Sequence, residues 1–299
     1  MKEKKKKSKK SIEYWLFILV VLIPPLIMLF FNWIVCGIAG FVQAFTDAST
    51  GKFTLENFRF FFDGLFRGEL RLALRNTLLF YLLNTVIILP LSYLIAFFIY
   101  KRIVGYKFFR FVFFLPAILP GVAVTTAYKE IIKNESVLGM LCDKIGVELP
   151  ELGLLGTEST AIWAVIAYTF IFTVTGGFMV TVGTMSRIPD SVFEAAKLDG
   201  CPPWIEFTKI VVPLMLPLIM LNLLTGVVGF FGASGPLLLL TNGEAGTMTV
   251  SYWITKKILF EGSSAYNMAA AANLSLAIMI LPVALLVRRW MVKLPAVEF

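Results

Sequence analysis

Ile188-Pro-Asp-Ser-Val-Phe-Glu-Ala-Ala-Lys-Leu-Asp-Gly200 runs directly into Cys201-Pro-Pro-Trp-Ile-Glu-Phe-Thr-Lys-Ile-Val-Val-Pro213. Pro189 suits a helix entry. Ser191 with Glu194 has the spacing of a capping box, in which a hydroxyl and a carboxylate satisfy the free N–H groups of a first helical turn. Glu194-Ala195-Ala196-Lys197-Leu198 are good helix formers. Gly200 supplies a stop, and Pro202-Pro203 can open a second helix near its first turn. The spacing therefore predicts helix, sharp turn, helix. Val192, Phe193, Ala196 and Leu198 are expected to form its apolar face, and Ala195 and Ala196 would let another surface approach closely. This device lies between two long apolar runs, 161–183 and 211–231.

Working outward, four more runs come near the roughly 20 apolar residues that a helix needs to cross a bilayer: 14–35, 77–99, 111–128 and 266–287. The 299 residues are 58% hydrophobic and 15% charged, with mean hydropathy +0.83. A soluble domain is about half apolar and a quarter charged, so a soluble fold is excluded. The expected fold is all-α: a polytopic membrane protein of six transmembrane helices, with a cytoplasmic helix between spans four and five.

Lys and Arg placement orients the spans. With the N-terminus inside, segments 1–13, 100–110, 184–210 and 288–299 carry 17 basic and 7 acidic residues, whereas 36–76, 129–160 and 232–265 carry 10 and 12. The net charge of +8 thus divides into +10 inside and −2 outside. This predicts a basic cytoplasmic N-terminus over 1–13, a first transmembrane helix over 14–35 and an extracellular segment over 36–76. A five-helix core follows over 77–287, including the 184–210 loop, and then a cytoplasmic C-terminus over 288–299. The first apolar run exceeds a signal-peptide core and lacks a small-x-small cleavage site, so an uncleaved anchor is expected. The charge is a topology signal in a cell (plasma) membrane and implies membrane lipid as a partner, with no nucleic acid.

The chain has no histidine, and its three cysteines, Cys36, Cys142 and Cys201, are scattered. Histidine triads, His-based zinc sites and disulfide frameworks are excluded on that basis. None of the six spans contains Asp, Glu, Lys or Arg, which argues against a proton-driven carrier. No GxxxxGK[ST] occurs, so the chain has no P-loop. No catalytic residue is expected and no metal site. Uphill transport would need energy from another chain.

Glu194-Ala-Ala-x-x-Asp199-Gly200, followed by Phe207, Ile210, Pro213 and Pro217, resembles the EAA motif of ABC-importer permeases. Cys201 and Val212 stand where Ala and Leu are usual. Leu55-Glu-Asn-Phe, Ala73-Leu-Arg-Asn-Thr77, Phe114-Leu-Pro116 with Pro120, and Leu240-Thr-Asn-Gly243 are similar to the maltose-type carbohydrate permease family. The resemblance implies a sugar or oligosaccharide importer subunit that does no chemistry itself. It implies as partners a homologous second permease, two cytoplasmic ABC ATPases that bind ATP and Mg, and an extracellular solute-binding protein. It also implies that Ser191, Glu194, Ala195, Ala196, Asp199 and Gly200 couple to the ATPase. Another small solute such as glycerol phosphate or a polyamine is the alternative cargo, and a stand-alone secondary carrier the alternative class.

Candidate solute contacts follow from polar and small residues in the outer spans. Thr169, Thr173, Gly177, Thr181 and Thr184 share one helix face, which can line a path or permit close packing. In span five, Asn222, Thr225, Gly226 and Gly229 precede Gly232-Ala-Ser234-Gly-Pro236, as expected of a proline-broken, cavity-lining helix. The resembling family often places bulky or polar residues at 232–235, so a roomier cavity is expected. Ser251, Tyr252 and Trp253 suit a sugar, whose C–H face stacks on aromatics, or equally an interfacial aromatic belt. Asn273 in span six is a further candidate contact, beside an alanine packing face.

Overall fold

The computed structural model describes residues 2–65, 67–146, 149–232 and 236–293, without the side chains of 2–13, 137, 263 and 264. Among the described residues four helices are long and apolar enough to cross a membrane: Tyr14–Ala44, Gly68–Tyr100, Glu158–Met185 and Ala265–Met291. Two bent pairs, Tyr106–Ile118 with Gly121–Ile131 and Pro203–Leu214 with Leu216–Val228, make six if each pair is one span. The only strand-like pairing among the described residues is an isolated bridge between Thr46 and Phe53. The chain is an all-α, multi-pass membrane protein.

Helices overrun the apolar windows read from sequence, because a helix continues past the hydrocarbon wherever its backbone stays bonded. The second begins at Gly68, its first two turns carrying exposed Glu69, Arg71 and Arg75 ahead of the apolar run. The two bent spans bend at prolines, although Pro24, Pro25 and Pro282 lie inside continuous helices. Leu119 is held extended (ψ 141°) ahead of Pro120, as a residue before proline is biased to be. The third span turns through 108° there. Pro213 and Pro217 flank Met215, where the fifth span bends by 70°. Wide π-type turns at Leu83–Ile88 and Phe207–Val211 sit just before Pro90 and Pro213. Each proline lacks the N–H for the bond four residues back and crowds that carbonyl; a wider turn relieves the clash.

Two compact units are distinguished, Met1–Phe62 with Lys257–Ser275, and Asp63–Lys256 with Leu276–Phe299. In the first, the apolar window of the helix Tyr14–Ala44 is wholly unburied within the chain. The turn after that helix is tied by Asn57, whose amide donates to the Ala44 and Thr46 carbonyls at 3.1 and 3.0 Å. Asn267 donates to the Thr46 carbonyl at 2.7 Å. Beside it, N–H and O–H donors from Ser49 and Thr50 hold the Asp47 carboxyl below the usual carboxylate range.

In the second unit, one apolar cluster joins spans two, four and five: Tyr93, Ala96 and Phe97 meet Phe178 and Met185, and both meet Phe207, Val211 and Met215. At its edge Lys101 Nζ donates to both carboxylate oxygens of Glu206 at 2.6 and 2.7 Å. The Glu206 side chain is 5% exposed and that of Lys101 32%. Breaking a buried pair leaves a charge without its partner, at a cost of about 3–5 kcal/mol when fully buried. Because Lys101 is a third exposed, Lys101→Met is expected to cost closer to ~2 kcal/mol. The double variant Lys101→Met/Glu206→Leu is expected to recover most of the loss in thermal unfolding of the detergent-solubilised chain. A double variant no more stable than the single would refute this.

Candidate functional site

The loop between spans four and five forms a helix, Asp190–Leu198, then a turn, then a second helix opened by Pro203. Its start differs from the expected capping box. Pro189 is the N-cap and no side chain caps the helix. The buried Ile188 and the fixed φ of Pro189 begin the helix at Asp190, so Ser191 falls inside the first turn. Acidic Asp190 still complements the positive helix end. The stop follows the expected chemistry. Gly200 has φ +68°, Cys201 N–H donates to the Ala196 carbonyl at 2.9 Å and Gly200 N–H to Lys197 at 3.1 Å. This pair of bonds is the Schellman arrangement, which needs a left-handed residue and so favours glycine.

Val192, Phe193 and Ala196 pack inward, the first two against the apolar cluster. Leu198, expected to join them, is 89% exposed. Six residues past Val192, it falls on the far side of a helix with 3.6 residues per turn. Ala196 is 5% exposed, so Ala195 alone of the alanine pair faces outward. Ser191, Glu194, Ala195 and Leu198 make one exposed face, and Asp199 and Gly200 are exposed at its end.

A cavity of about 530 Å³ opens between spans two, four and five. Its walls bring together Thr173, Asn222 and Thr225 from the expected residues, with Thr181 and the glycines 177, 226, 229 and 232. No charged side chain is among its lining residues. Asn222 is oriented by a 2.9 Å bond from its amide to the Tyr93 hydroxyl. Thr181 and Thr225 return their hydroxyl protons to the carbonyls of Gly177 and Leu221, leaving oxygen lone pairs for a further donor.

Span two supplies polar lining that the sequence alone did not single out: Tyr81, Asn84, Thr85 and Ser92. Asn84 and Thr85 stand on the wide turn Leu83–Ile88. The available signal is an Asn-Thr pair in an apolar run, six and five residues before Pro90.

Other expected contacts lie elsewhere. Thr169 bonds the Val165 carbonyl and is absent from the cavity lining. Tyr252 and Trp253 are 3% and 4% exposed, packed in the interior and absent from the cavity lining. Tyr252 donates its hydroxyl to Asn242 Oδ1 at 2.6 Å, fixing a loop whose Asn242, Gly243, Ala245 and Gly246 all have positive φ. Ser251 is half-buried, with its carbonyl accepting from Thr255. Asn273 lines a separate groove with Gly37, Gly40 and Ala269 in the first unit. Ser234 lies outside the described residues. The described residues hold no cluster of His, Cys, Asp and Glu able to bind a metal ion.

The family of binding-protein-dependent transport system inner membrane components matches residues 88–294. The chain is 26% identical over 218 residues to the lactose transport system permease protein LacF of Rhizobium radiobacter, covering 70% of this chain and 71% of that one. It is 26% identical over 273 residues to the probable starch degradation products transport system permease protein AmyD of Thermoanaerobacterium thermosulfurigenes, covering 90% and 89%. In fold it is similar to a chain of a bacterial ABC transporter involved in import of the acidic polysaccharide alginate. The TM-score is 0.80 at 19% identity, over 95% of this chain and 98% of that one. A bacterial alginate ABC transporter in complex with its pentasaccharide-bound periplasmic protein gives 0.76 at 20%, over 93% and 94%.

Proposed function

Because the chain belongs to the family of binding-protein-dependent transport system inner membrane components, we propose that it is one permease subunit of an ATP-driven importer for a neutral sugar or oligosaccharide. It is a membrane component of a transport system, not an enzyme. The cavity carries the choice of cargo. Its hydroxyls, amides and aromatic edges, with no charged lining residue, suit a hydroxylated neutral solute. A phosphorylated or acidic cargo would leave its charge unpaired in a cavity within the membrane, which is costly. LacF and AmyD, whose names give lactose and starch degradation products, point the same way.

In this reading a homologous second permease completes the path. One of two cytoplasmic ATPases, which bind ATP and Mg, docks on the exposed face of Ser191, Glu194, Ala195 and Leu198, and a solute-binding protein delivers cargo from outside. Both termini are cytoplasmic. Thr173, Asn222 and Thr225 touch the solute, joined by Asn84 and Thr85; Thr169, Tyr252 and Trp253 serve packing.

The test reconstitutes the chain with its cognate partners in proteoliposomes and follows labelled maltooligosaccharides against glycerol 3-phosphate and an acidic oligosaccharide. Uptake of the neutral sugar that requires ATP and every partner is expected. Preferential uptake of an anionic solute would overturn the cargo assignment, and ATP-independent uptake by this chain alone would overturn the importer reading.

A further inference from the structure

At the turn joining spans two and three, a second cavity of about 460 Å³ is lined by Lys101, Arg102 and Arg110, by Tyr100 and Tyr106, and by Ser186, Asp190 and Phe193. It is distinct from the solute cavity, with which it shares no lining residue. Lys101 is committed to Glu206. Asp190 meets the Tyr100 hydroxyl at 3.5 Å. Arg102 and Arg110 have no ion pair among the described residues. Arg102 is also held at φ +54°, an uncommon conformation for a side-chain-bearing residue. Strain of this kind persists where its surroundings over-determine it and clusters at ligand sites.

The surroundings identify the anion. The turn lies between two apolar spans, so it sits at a membrane boundary. Ser186 returns its proton to the Val182 carbonyl, so its oxygen can accept from a hydroxyl of a headgroup such as glycerol, while the arginines hold the phosphate. Val104, at the tip of the turn, is 99% exposed. Span three next to the turn leaves Phe108, Phe109, Phe111 and Val112 exposed. Guanidinium groups at the boundary with an apolar strip running into the bilayer match a phosphate headgroup above acyl chains. Free phosphate would use the arginines and leave the strip unexplained.

We infer that this cavity binds the phosphate headgroup of an anionic phospholipid through Arg102 and Arg110, with the acyl chains lying along Phe108–Val112. Asp190 and Phe193 belong to the loop helix, so the bound lipid contacts the element that docks the ATPase in the proposed function. The lipid site itself does not depend on that reading, because binding is measured on this chain without partners.

Native mass spectrometry of the full-length chain, titrated with phosphatidylglycerol or phosphatidylcholine, reads the site directly. The unmodified chain is expected to prefer phosphatidylglycerol. Arg102→Gln/Arg110→Gln is expected to weaken it about tenfold or more, each arginine near a lipid surface contributing comparably. Arg102→Lys/Arg110→Lys should retain most of the affinity, which separates lost charge from lost fold. Lys133→Gln/Lys144→Gln, of equal charge change outside the cavity, should leave it unchanged. Equal lipid retention by the glutamine and unmodified chains would overturn the site. Displacement of the lipid by inorganic phosphate would overturn the lipid in favour of a free anion. Glutamine variants that bind lipid normally but fail to co-purify with the ATPase would assign the arginines to a protein contact instead.

Discussion

Glu194→Ala combined with Gly200→Val is expected to reduce ATP-dependent uptake by the assembled importer roughly fiftyfold, from the loss of a charge-assisted contact together with backbone strain. Glu194 stands on the exposed face of the loop helix, away from the apolar cluster below. Gly200 ends that helix at φ +68° with open space where a Cβ would stand, so its substitution acts through the backbone and not through a clash. A β-branched residue there disfavours the turn and shifts the face that Glu194 presents. Membrane insertion should be unaffected, because neither residue packs in a span. The measurements are co-purification with the ATPase and uptake in proteoliposomes. A double variant that transports and co-purifies normally would remove this loop from the coupling mechanism.

Asn76→Ala is expected to lower thermal stability strongly by releasing the loop that follows span five. The buried Asn76 amide donates to the Gly246 and Met248 carbonyls at 2.7 and 2.8 Å. Its neighbour Thr77 accepts from Val250 N–H at 3.0 Å. Truncation leaves one buried and one part-buried carbonyl without the amide donor, at about 1–3 kcal/mol for a buried unmet group and the low end of that for the part-buried one. A total of about 2–4 kcal/mol would lower the melting temperature by roughly 5–10 °C in a chain of this size. Differential scanning fluorimetry in detergent measures it. A shift below about 1 °C would show that the loop finds other partners.

These two sites show how differently the sequence speaks. The helix-turn-helix at 190–206 is legible because each local choice agrees: proline at the entry, alanines in the middle, glycine at the stop. Its outward face is not legible at Ala196 and Leu198, because which side of a short helix is buried depends on what lies beneath it. Here that includes span two, where Tyr93 and Phe97 join the cluster and the Tyr100 ring lies 5.3 Å from that of Phe193, across some ninety residues of sequence. The bend at Pro213–Pro217 is anticipated by its prolines, whereas its angle is not, nor is the continuity of the helices through Pro24, Pro25 and Pro282.

The cavity between spans two, four and five is half legible. Asn222, Thr225 and the glycines of span five announce a polar, open stretch within an apolar run. Their counterparts Asn84 and Thr85 become apparent once the wide turn ahead of Pro90 sets them facing span five. Tyr252 and Trp253 carry the composition of a sugar platform and are interior packing. The motif Asn76-Thr77 has no physical reason in the sequence, since its partners lie some 170 residues away.

The sequence by itself determined that this chain crosses a membrane several times and that one structured loop interrupts the spans. Hydrophobic run length, proline and glycine act locally, so they can be read without a fold. Only the tertiary structure decided which polar groups share a cavity, which face of the loop helix is free, and where two arginines stand without an ion pair among the described residues. Those depend on contacts between distant segments, whose side chains take their environment from the packing of whole helices.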